Sequence, residues 1–420
     1  MERIVRDRIM QHLVSNSLIK SCQHGFVNKK ACSTNLLETM DFLTKAKALK
    51  RQVDILFLDF AKAFDKVPHE RLLYKLERYG IQRKTLGWIR AFLTNRKQRV
   101  ILGDTLSDWE RVTSGVPQGS VLGPTLFIIY INDLPESVSY ASVCKMYADD
   151  TKLLTTINSP LDHSRLQNDI DSIVSWTRTW LMELNAAKCK VMHVNSNQQR
   201  VYSMDSYDQH GVSTRITLAH TTSERDLGIQ ISADLKHHDQ VHAAAAKANS
   251  MLGLLKHTFV SNEVALWKKL YTTYVRPYIE FAVPVWNPHL KKDKEIIERV
   301  QHKATKIPHE LRSLDYEGRC ARLGLEAHED RRTRGDLIQK FKFINSIDSI
   351  NWHNEPLTVP PRANHRLRFH REKVPSCELR HHFFNNRTVN SWNLLPDSVA
   401  FSSSVNSFKA NYDTNRATNR

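Results

Sequence analysis

The stretch Val143-Cys-Lys-Met-Tyr147-Ala148-Asp149-Asp150-Thr151-Lys-Leu-Leu-Thr155 decides the fold. Two β-friendly segments, Val143–Tyr147 and Thr151–Thr155, flank a polar pair. That pattern predicts a β-hairpin with Asp149 and Asp150 at its tip. Adjacent carboxylates repel, and they cost energy unless water or a cation screens them. Taken alone, Asp-Asp reads as a solvated surface turn, because Asp is a common turn residue. The sequence around the hairpin argues for more.

Upstream, Val53-Asp-Ile-Leu-Phe-Leu-Asp59-Phe60 is a nearly continuous apolar run that suits a strand buried on both faces. Asp59 stands near its end, where a carboxylate either caps the next turn or needs a partner. Asp59 and Asp149 are 149 − 59 = 90 residues apart. If their strands are neighbours in one sheet, the three carboxylates converge. Such a cluster suits two divalent cations about 3.5–4 Å apart, and Mg²⁺ prefers carboxylate and phosphate oxygens. Phe64, five residues after Asp59, reads by itself as a core aromatic. Gln118 and Gly119 lie in the glycine-rich loop Gly115–Pro124, which is either a simple turn or a place where backbone approaches a nucleotide closely. Lys188, between a helix and a strand, is a solvated lysine or a proton donor beside a phosphate.

The 420 residues are enough for two or three domains. The chain holds 61 Lys and Arg against 44 Asp and Glu, a net charge of +17 with a pI of about 9.6. That excess favours a polyanionic partner, nucleic acid before an acidic membrane surface. The six cysteines form no C-x-x-C pair, which argues against a zinc knuckle. Cys144 and Cys189 read as reduced thiols, which points to an intracellular compartment, nucleus or cytoplasm. No run of eighteen apolar residues predicts a membrane span, and no signal peptide is expected.

Helical spacing is expected over residues 1–20, Thr34–Lys50, Glu70–Tyr79, Thr85–Leu93, Thr125–Ile131 and Leu161–Leu184. Gln23–Ala31 reads as a polar loop, Val191–Val194 and Leu227–Ser232 as strands, and Asn195–Arg215 as a mobile hairpin or insertion. From about residue 236 the pattern turns mostly helical. Residues 351–376, rich in Pro, Arg and His, read as a linker or extended arm.

The order of these pieces resembles one family. Leu58-Asp59-Phe60-Ala-Lys-Ala-Phe64-Asp65 comes first, then Gly115-Val-Pro-Gln118-Gly119-Ser-Val-Leu-Gly-Pro124. Tyr147-Ala-Asp-Asp150, Leu184-Asn185-Ala-Ala-Lys188 and Leu227-Gly228 follow. Together they resemble the reverse transcriptase of non-LTR, LINE-type retrotransposons. Gln23-His24-Gly25-Phe26 with Ser33-Thr34-Asn35 resembles the preceding block of the same enzymes.

The resemblance implies an α+β right-hand polymerase. Its palm, an antiparallel sheet backed by helices, and partial fingers would fill residues 1–235. A helical thumb and connection would fill 236–350, and a basic linker and C-terminal region 351–420. Asp59, Asp149 and Asp150 would be the catalytic carboxylates and, with the carbonyl of Phe60, would hold two Mg²⁺ ions, with Mn²⁺ as a substitute. Phe64 would sit under the sugar and exclude a 2′-hydroxyl. Gln118, Gly119 and Tyr147 would contact the substrate, and Lys188 would be the general acid. Leu227–Gly228 would be a strand that grips the primer. The implied partners are an RNA template, a DNA primer and deoxynucleoside triphosphates. The family's first fingers block would lie before Met1, so the chain resembles an N-terminally truncated copy. A catalytically inactive nucleic-acid-binding remnant is the first rival reading. A two-metal nuclease or phosphatase is the second.

Overall fold

Helix α1 (Glu2–Ser15) buries Ile9 and Leu13. Helix α2 (Cys32–Ala48) carries an apolar face of Leu36, Leu37, Met40 and Leu43, all at 4% exposure or less. The computed structural model describes residues 1–207, 211–359 and 367–418. The chain separates into two compact units, Met1–Asn35 with Arg51–Thr221, and Leu36–Lys50 with Thr222–Arg420. Helix α2 therefore contributes to both.

In the first unit, β1 (Gln52–Leu58) is the apolar run, and it is buried on both faces as expected. After it come α3 (His69–Arg78) and α4 (Arg83–Leu93). Two short ladders follow, β2 (Lys97–Gln98) with β5 (Glu110–Arg111) and, nested inside them, β3 (Ile101–Leu102) with β4 (Thr105–Leu106). Helix α5 (Gly123–Ile131) is buried along its length, with Pro124 in its first turn, where a missing N–H costs nothing.

The central hairpin is β6 (Ser142–Tyr147) and β7 (Asp150–Ile157). Its register pairs Tyr147 with Asp150, so the tip is Ala148–Asp149. The expected tip, Asp149–Asp150, is thus off by one: the ladder runs one pair further, and Ala148 takes the left-handed turn with φ of 56°. Helix α6 (Pro160–Trp180) starts with a Ser159–Asp162 capping box and ends at Leu181, φ 52°. It stops short of the expected Leu184, because residues 183–185 are bonded instead to Asp59–Ala61, just beyond β1.

Strand β8 (Lys190–Val194) pairs with β1, and a hairpin of β9 (Ser203–Tyr207) and β10 (Ser213–Thr217) follows. The expected mobile segment Asn195–Arg215 holds a non-strand stretch, residues 195–202, and then most of this hairpin; residues 208–210 lie outside the described residues. Strand β11 (Ala219–His220) then closes the sheet, whose order among the described residues is β11-β8-β1-β7-β6. The sheet is antiparallel except at β11, which pairs with β8 in parallel after the β9–β10 crossover. The core of this unit lies between the sheet and α3, α5 and α6, around Leu73, Phe127, Ile170 and Val191.

After its α2 segment, the second unit continues with the hairpin β12 (Ser223–Asp226) and β13 (Ile229–Ser232). Leu227 and Gly228 are expected inside a strand; instead they form its two-residue turn, with φ of 46° and 89°. Positive φ at both central positions matches the twist of a tight hairpin. Helix α7 (His238–Thr258) and further helices follow, including a π-helical turn at Tyr271–Val275. A C-terminal core gathers Leu337, Phe341, Trp392, Val399 and Phe408. Within this unit, Glu38 and Asp41 of α2 accept backbone N–H groups of Asn351, His353 and Asn354. Residues 360–366, in the middle of the expected arm 351–376, lie outside the described residues. Among the described residues, no helix is long and apolar enough to cross a membrane.

Candidate active site

Two chain segments flank Asp59, which directly follows β1. On one side the Leu184–Cys189 turn is sewn to it. The Asn185 N–H donates to the Asp59 carbonyl and the Ala61 N–H to the Glu183 carbonyl, each at 2.8 Å, so that Phe60 bridges Leu184. The Asp59 N–H donates to Cys189 Sγ at 3.4 Å. This turn carries Lys188, whose Nζ lies 3.7 Å from Asp59 Oδ2. On the other side the β1–β7 ladder ends at the Leu58–Thr151 pair, which sets the Ala148–Asp149 turn next to Asp59.

Asp149 is half-buried, and its carboxyl is pushed above the usual Asp range. Burial is the main cause, and the charge of Asp59 adds to it against a backbone hydrogen bond that favours ionisation. Asp150, the first residue of β7, is exposed. Burial, a hydrogen bond with Cys32 and the charge of Asp150 push the Tyr147 phenol up to about 12.

Phe64 stacks on Phe127, with ring centroids 4.1 Å apart and planes at 18°, and meets the edge of Phe26 at 6.4 Å. It is half-buried and forms part of an aromatic wall. Gln118 donates from Nε2 to Asp65 Oδ1 at 2.9 Å and is exposed. Gly119 has φ of 80° and open space where a side chain would be, so glycine is required there by the backbone angle.

Sequence pattern assigns no individual role to Gln23, Gly25, Phe127 or Cys189. Gln23 bridges Met146 of the central hairpin in parallel, 123 residues away by 146 − 23. The Gln-His-Gly-Phe block is visible in the sequence, but its partner is not, because no local spacing links residues 23 and 146.

The profile described as reverse transcriptase (RNA-dependent DNA polymerase) matches residues 1–242. The chain belongs to the reverse transcriptase family. This is the family that the motif order resembles, and the first unit has the mixed α+β build with a central sheet that the resemblance implies. The chain is 27% identical over 337 residues to the RNA-directed DNA polymerase from mobile element jockey of Drosophila funebris, covering 76% of this chain and 35% of that protein. Against the jockey protein of Drosophila melanogaster it is 33% identical over 196 residues, covering 45% and 21%. Against the probable RNA-directed DNA polymerase from transposon X-element of Drosophila melanogaster it is 24% identical over 393 residues, covering 90% and 39%. The chain thus spans 21–39% of the length of these curated relatives.

Reverse transcriptases use divalent cations, and the donors here suit one open kind of site. The strands β1 and β7 are neighbours, but the expected convergence of Asp59, Asp149 and Asp150 is not seen: among the described residues, no three His, Cys, Asp or Glu side chains are grouped so as to hold a metal ion, and Asp150, the first residue of β7, is exposed. Asp59 and Asp149 lie at the same end of the β1–β7 ladder, and Asp149 is raised by burial and by the charge of Asp59. Mg²⁺ is commonly held by one or two carboxylates and completes its shell with water and substrate phosphates. A pair of repelling carboxylates fits that ion better than a preformed cage would. Next to the glycine-rich loop Gly115–Pro124 is a polar cleft of about 630 Å³, lined by Lys62, Asp65, Arg96, Arg111 and Gln118 among others. Its three cationic side chains suit phosphate oxygens.

Proposed function

We propose that this chain is the polymerase portion of a non-LTR retrotransposon enzyme and synthesises DNA on an RNA template from a primer 3′-hydroxyl. The observation that carries this reading is the placement of Asp149 next to Asp59, with Lys188 3.7 Å from Asp59 on the opposite flank. Asp59 and Asp149, joined by the Phe60 carbonyl and by Asp150 if its exposed side chain turns toward them, would hold two Mg²⁺ ions. When bound, these lower the pKa of the attacking hydroxyl and balance charge on the leaving pyrophosphate.

The chain's own residues do the remaining work. The ring of Phe64, backed by Phe127, supports the deoxyribose and leaves no room for a 2′-hydroxyl. Gln118, Gly119 and Tyr147 border the incoming nucleotide or its template base. Lys62, Arg96 and Arg111 meet phosphates in the polar cleft. Lys188 exchanges its ion pair with Asp59 for the departing pyrophosphate and donates a proton to it. Residues 236–350 serve as thumb and connection, and 351–420 as a basic C-terminal region. The Leu227–Gly228 turn replaces the expected strand as the primer-gripping element.

Primer extension on poly(rA)/oligo(dT) with Mg²⁺ and dTTP tests the proposal. The chain extends the primer, and Asp149→Asn abolishes extension while duplex binding is kept. No extension by either, with salt-sensitive binding retained, identifies a non-catalytic binder. Release of nucleotides without added dNTPs identifies a nuclease.

A further inference from the structure

We infer that Gln23 and Gly25 are positioning residues that clamp the Ala148–Asp149 turn and hold the Asp149 carboxylate against Asp59. The inference rests on the polymerase reading for its purpose, and on hydrogen bonds and close approaches for its geometry.

Gln23 is 1% exposed. Its side-chain carbonyl accepts two backbone N–H groups, from Ala148 at 2.9 Å and from Gly25 at 2.7 Å. One buried oxygen therefore ties the turn of the catalytic hairpin to a segment far away in sequence. The main chain repeats the link. The Met146 N–H donates to the Cys22 carbonyl at 3.0 Å, and the His24 N–H donates to the Met146 carbonyl at 2.9 Å. Asn35 Nδ2 donates to the same Met146 carbonyl at 3.1 Å. The parallel ladder ends at Met146, because the chain turns at Ala148. Gln23 extends it with its side chain, which reaches the next amide that the turn would leave without a strand partner.

Gly25 makes this approach possible. A Cβ there would stand 2.4 Å from the Ala148 nitrogen and 3.0 Å from the Tyr147 carbonyl carbon. Both neighbours are backbone, so neither can swing aside as a flexible side chain would. Any side chain at position 25 must push the turn outward.

The turn needs such a clamp. Ala148 holds φ of 56°, a region that residues with a Cβ enter at a cost. The next residue, Asp149, stands at the same end of the β1–β7 ladder as Asp59, and like charges placed close together repel. Strain and repulsion both favour opening the turn, and opening would carry Asp149 away from its partner. A strained conformation persists where the surroundings over-determine it. Here the hydrogen bonds from the Gln23 segment and the close approach of Gly25 do so.

The test compares the full chain with Gln23→Met, Gly25→Ala and Gln23→Glu by three readouts. These are amide hydrogen exchange, Mn²⁺ titration by electron paramagnetic resonance, and primer extension. Gln23→Met keeps size and removes the acceptor, whereas Gln23→Glu keeps an oxygen that can take both N–H groups. The expected result for Gln23→Met and Gly25→Ala is exchange at least about tenfold faster in the peptide spanning Cys144–Asp150, with β8 and α6 unchanged. Mn²⁺ affinity and extension rate both fall by roughly 10–100-fold, the size of outer-shell effects at metal sites. Gln23→Glu recovers most of the Gln23→Met loss in all three. Exchange and Mn²⁺ binding within twofold of the parent in Gln23→Met and Gly25→Ala overturn the proposal. So does exchange that rises equally across the whole first unit, which would make Gln23 a general structural residue. If the parent chain extends no primer, the polymerase reading fails, and the clamp is then judged on exchange and Mn²⁺ binding alone.

Discussion

Burial and the field of Asp59 both disfavour the charged form of Asp149, and that opposition has a measurable consequence for stability. In buffer free of divalent cations, Asp149→Asn removes the repulsion and leaves an amide of the same shape. The variant is expected to melt higher than the parent by roughly 1–3 °C, the span that a change of about 1 kcal/mol or less produces in a domain of this kind. Adding Mg²⁺ or Mn²⁺ raises the melting temperature of the parent more than that of the variant, so the order narrows or reverses. Differential scanning calorimetry with and without the ion reads both effects. A variant that melts lower in both conditions would mean that Asp149 stabilises the fold, and that the pair was not built to receive a cation. At this scale the sequence is informative wherever chemistry and local pattern coincide. Asp59 ends an apolar strand, Asp149 sits in a hairpin, and Lys188 precedes a strand, and each can be found within a dozen residues. Gln23 and Gly25 cannot be found that way, since their importance lies in their approach to Met146 and Ala148.

Among the elements, β1 is the most readable, because a strand buried on both faces has few polar positions to obscure it. The strands beside it are legible too, as Thr151–Thr155 and Val191–Val194, but which strand pairs with which is not. The order β11-β8-β1-β7-β6 depends on pairings between distant segments, and the parallel edge at β11 follows from a crossover that composition does not mark. One polar residue inside β1 carries much of the rear of the sheet. Asp54 is fully buried, and three groups converge on it. Arg200 Nε donates to Oδ2 at 2.7 Å, His193 Nδ1 meets Oδ1 at 2.7 Å, and the Tyr202 hydroxyl donates to Oδ2 at 2.6 Å. Burial alone would raise its pKa, but Arg200, His193 and Tyr202 outweigh that and hold the carboxyl at about 2 instead of 3.8. A depressed carboxylate contributes stability above its unfolded value and loses it as pH falls toward the folded one. The contribution is therefore complete above about pH 4 and lost between there and about pH 2. It amounts to about 2 kcal/mol, from 1.36 kcal/mol per pKa unit. Urea unfolding of the parent and Asp54→Asn across that window checks this: the parent's stability falls more steeply by about that amount. Parallel slopes would show that Asp54 is not the acid-sensitive group. In the second unit, Arg380 plays a similar part, at 1% exposure between Asp41 of α2 and Glu372. Basic composition makes the stretch just before it read as a linker. The pairing that buries Arg380 with α2 spans 339 residues and leaves no local trace.

The net charge of +17 acts on the whole molecule, and its effect can be separated from that of the three acids. If a template–primer duplex is the partner, Lys and Arg displace counterions from phosphates, and affinity falls with salt along a log–log line. For about 6–10 neutralised phosphates the loss between 50 and 200 mM salt is about 10³–10⁵-fold. Fluorescence anisotropy with a labelled RNA–DNA duplex, in EDTA to remove divalent ions, gives that slope directly. Asp149→Asn should share the slope, because one site carboxylate contributes little beside the summed field of the basic residues. A double variant, Arg96→Gln with Arg111→Gln, removes two of the cations that line the polar cleft. It should flatten the slope by about 2, one for each phosphate that is no longer neutralised. An unchanged slope would place the cleft outside the nucleic-acid path and leave Arg96 and Arg111 as ordinary surface charges. A slope near zero in the parent would remove nucleic acid as the partner altogether. The composition would then have misled, since charge that is spread evenly over a surface attracts polyanions far less than charge gathered along one groove.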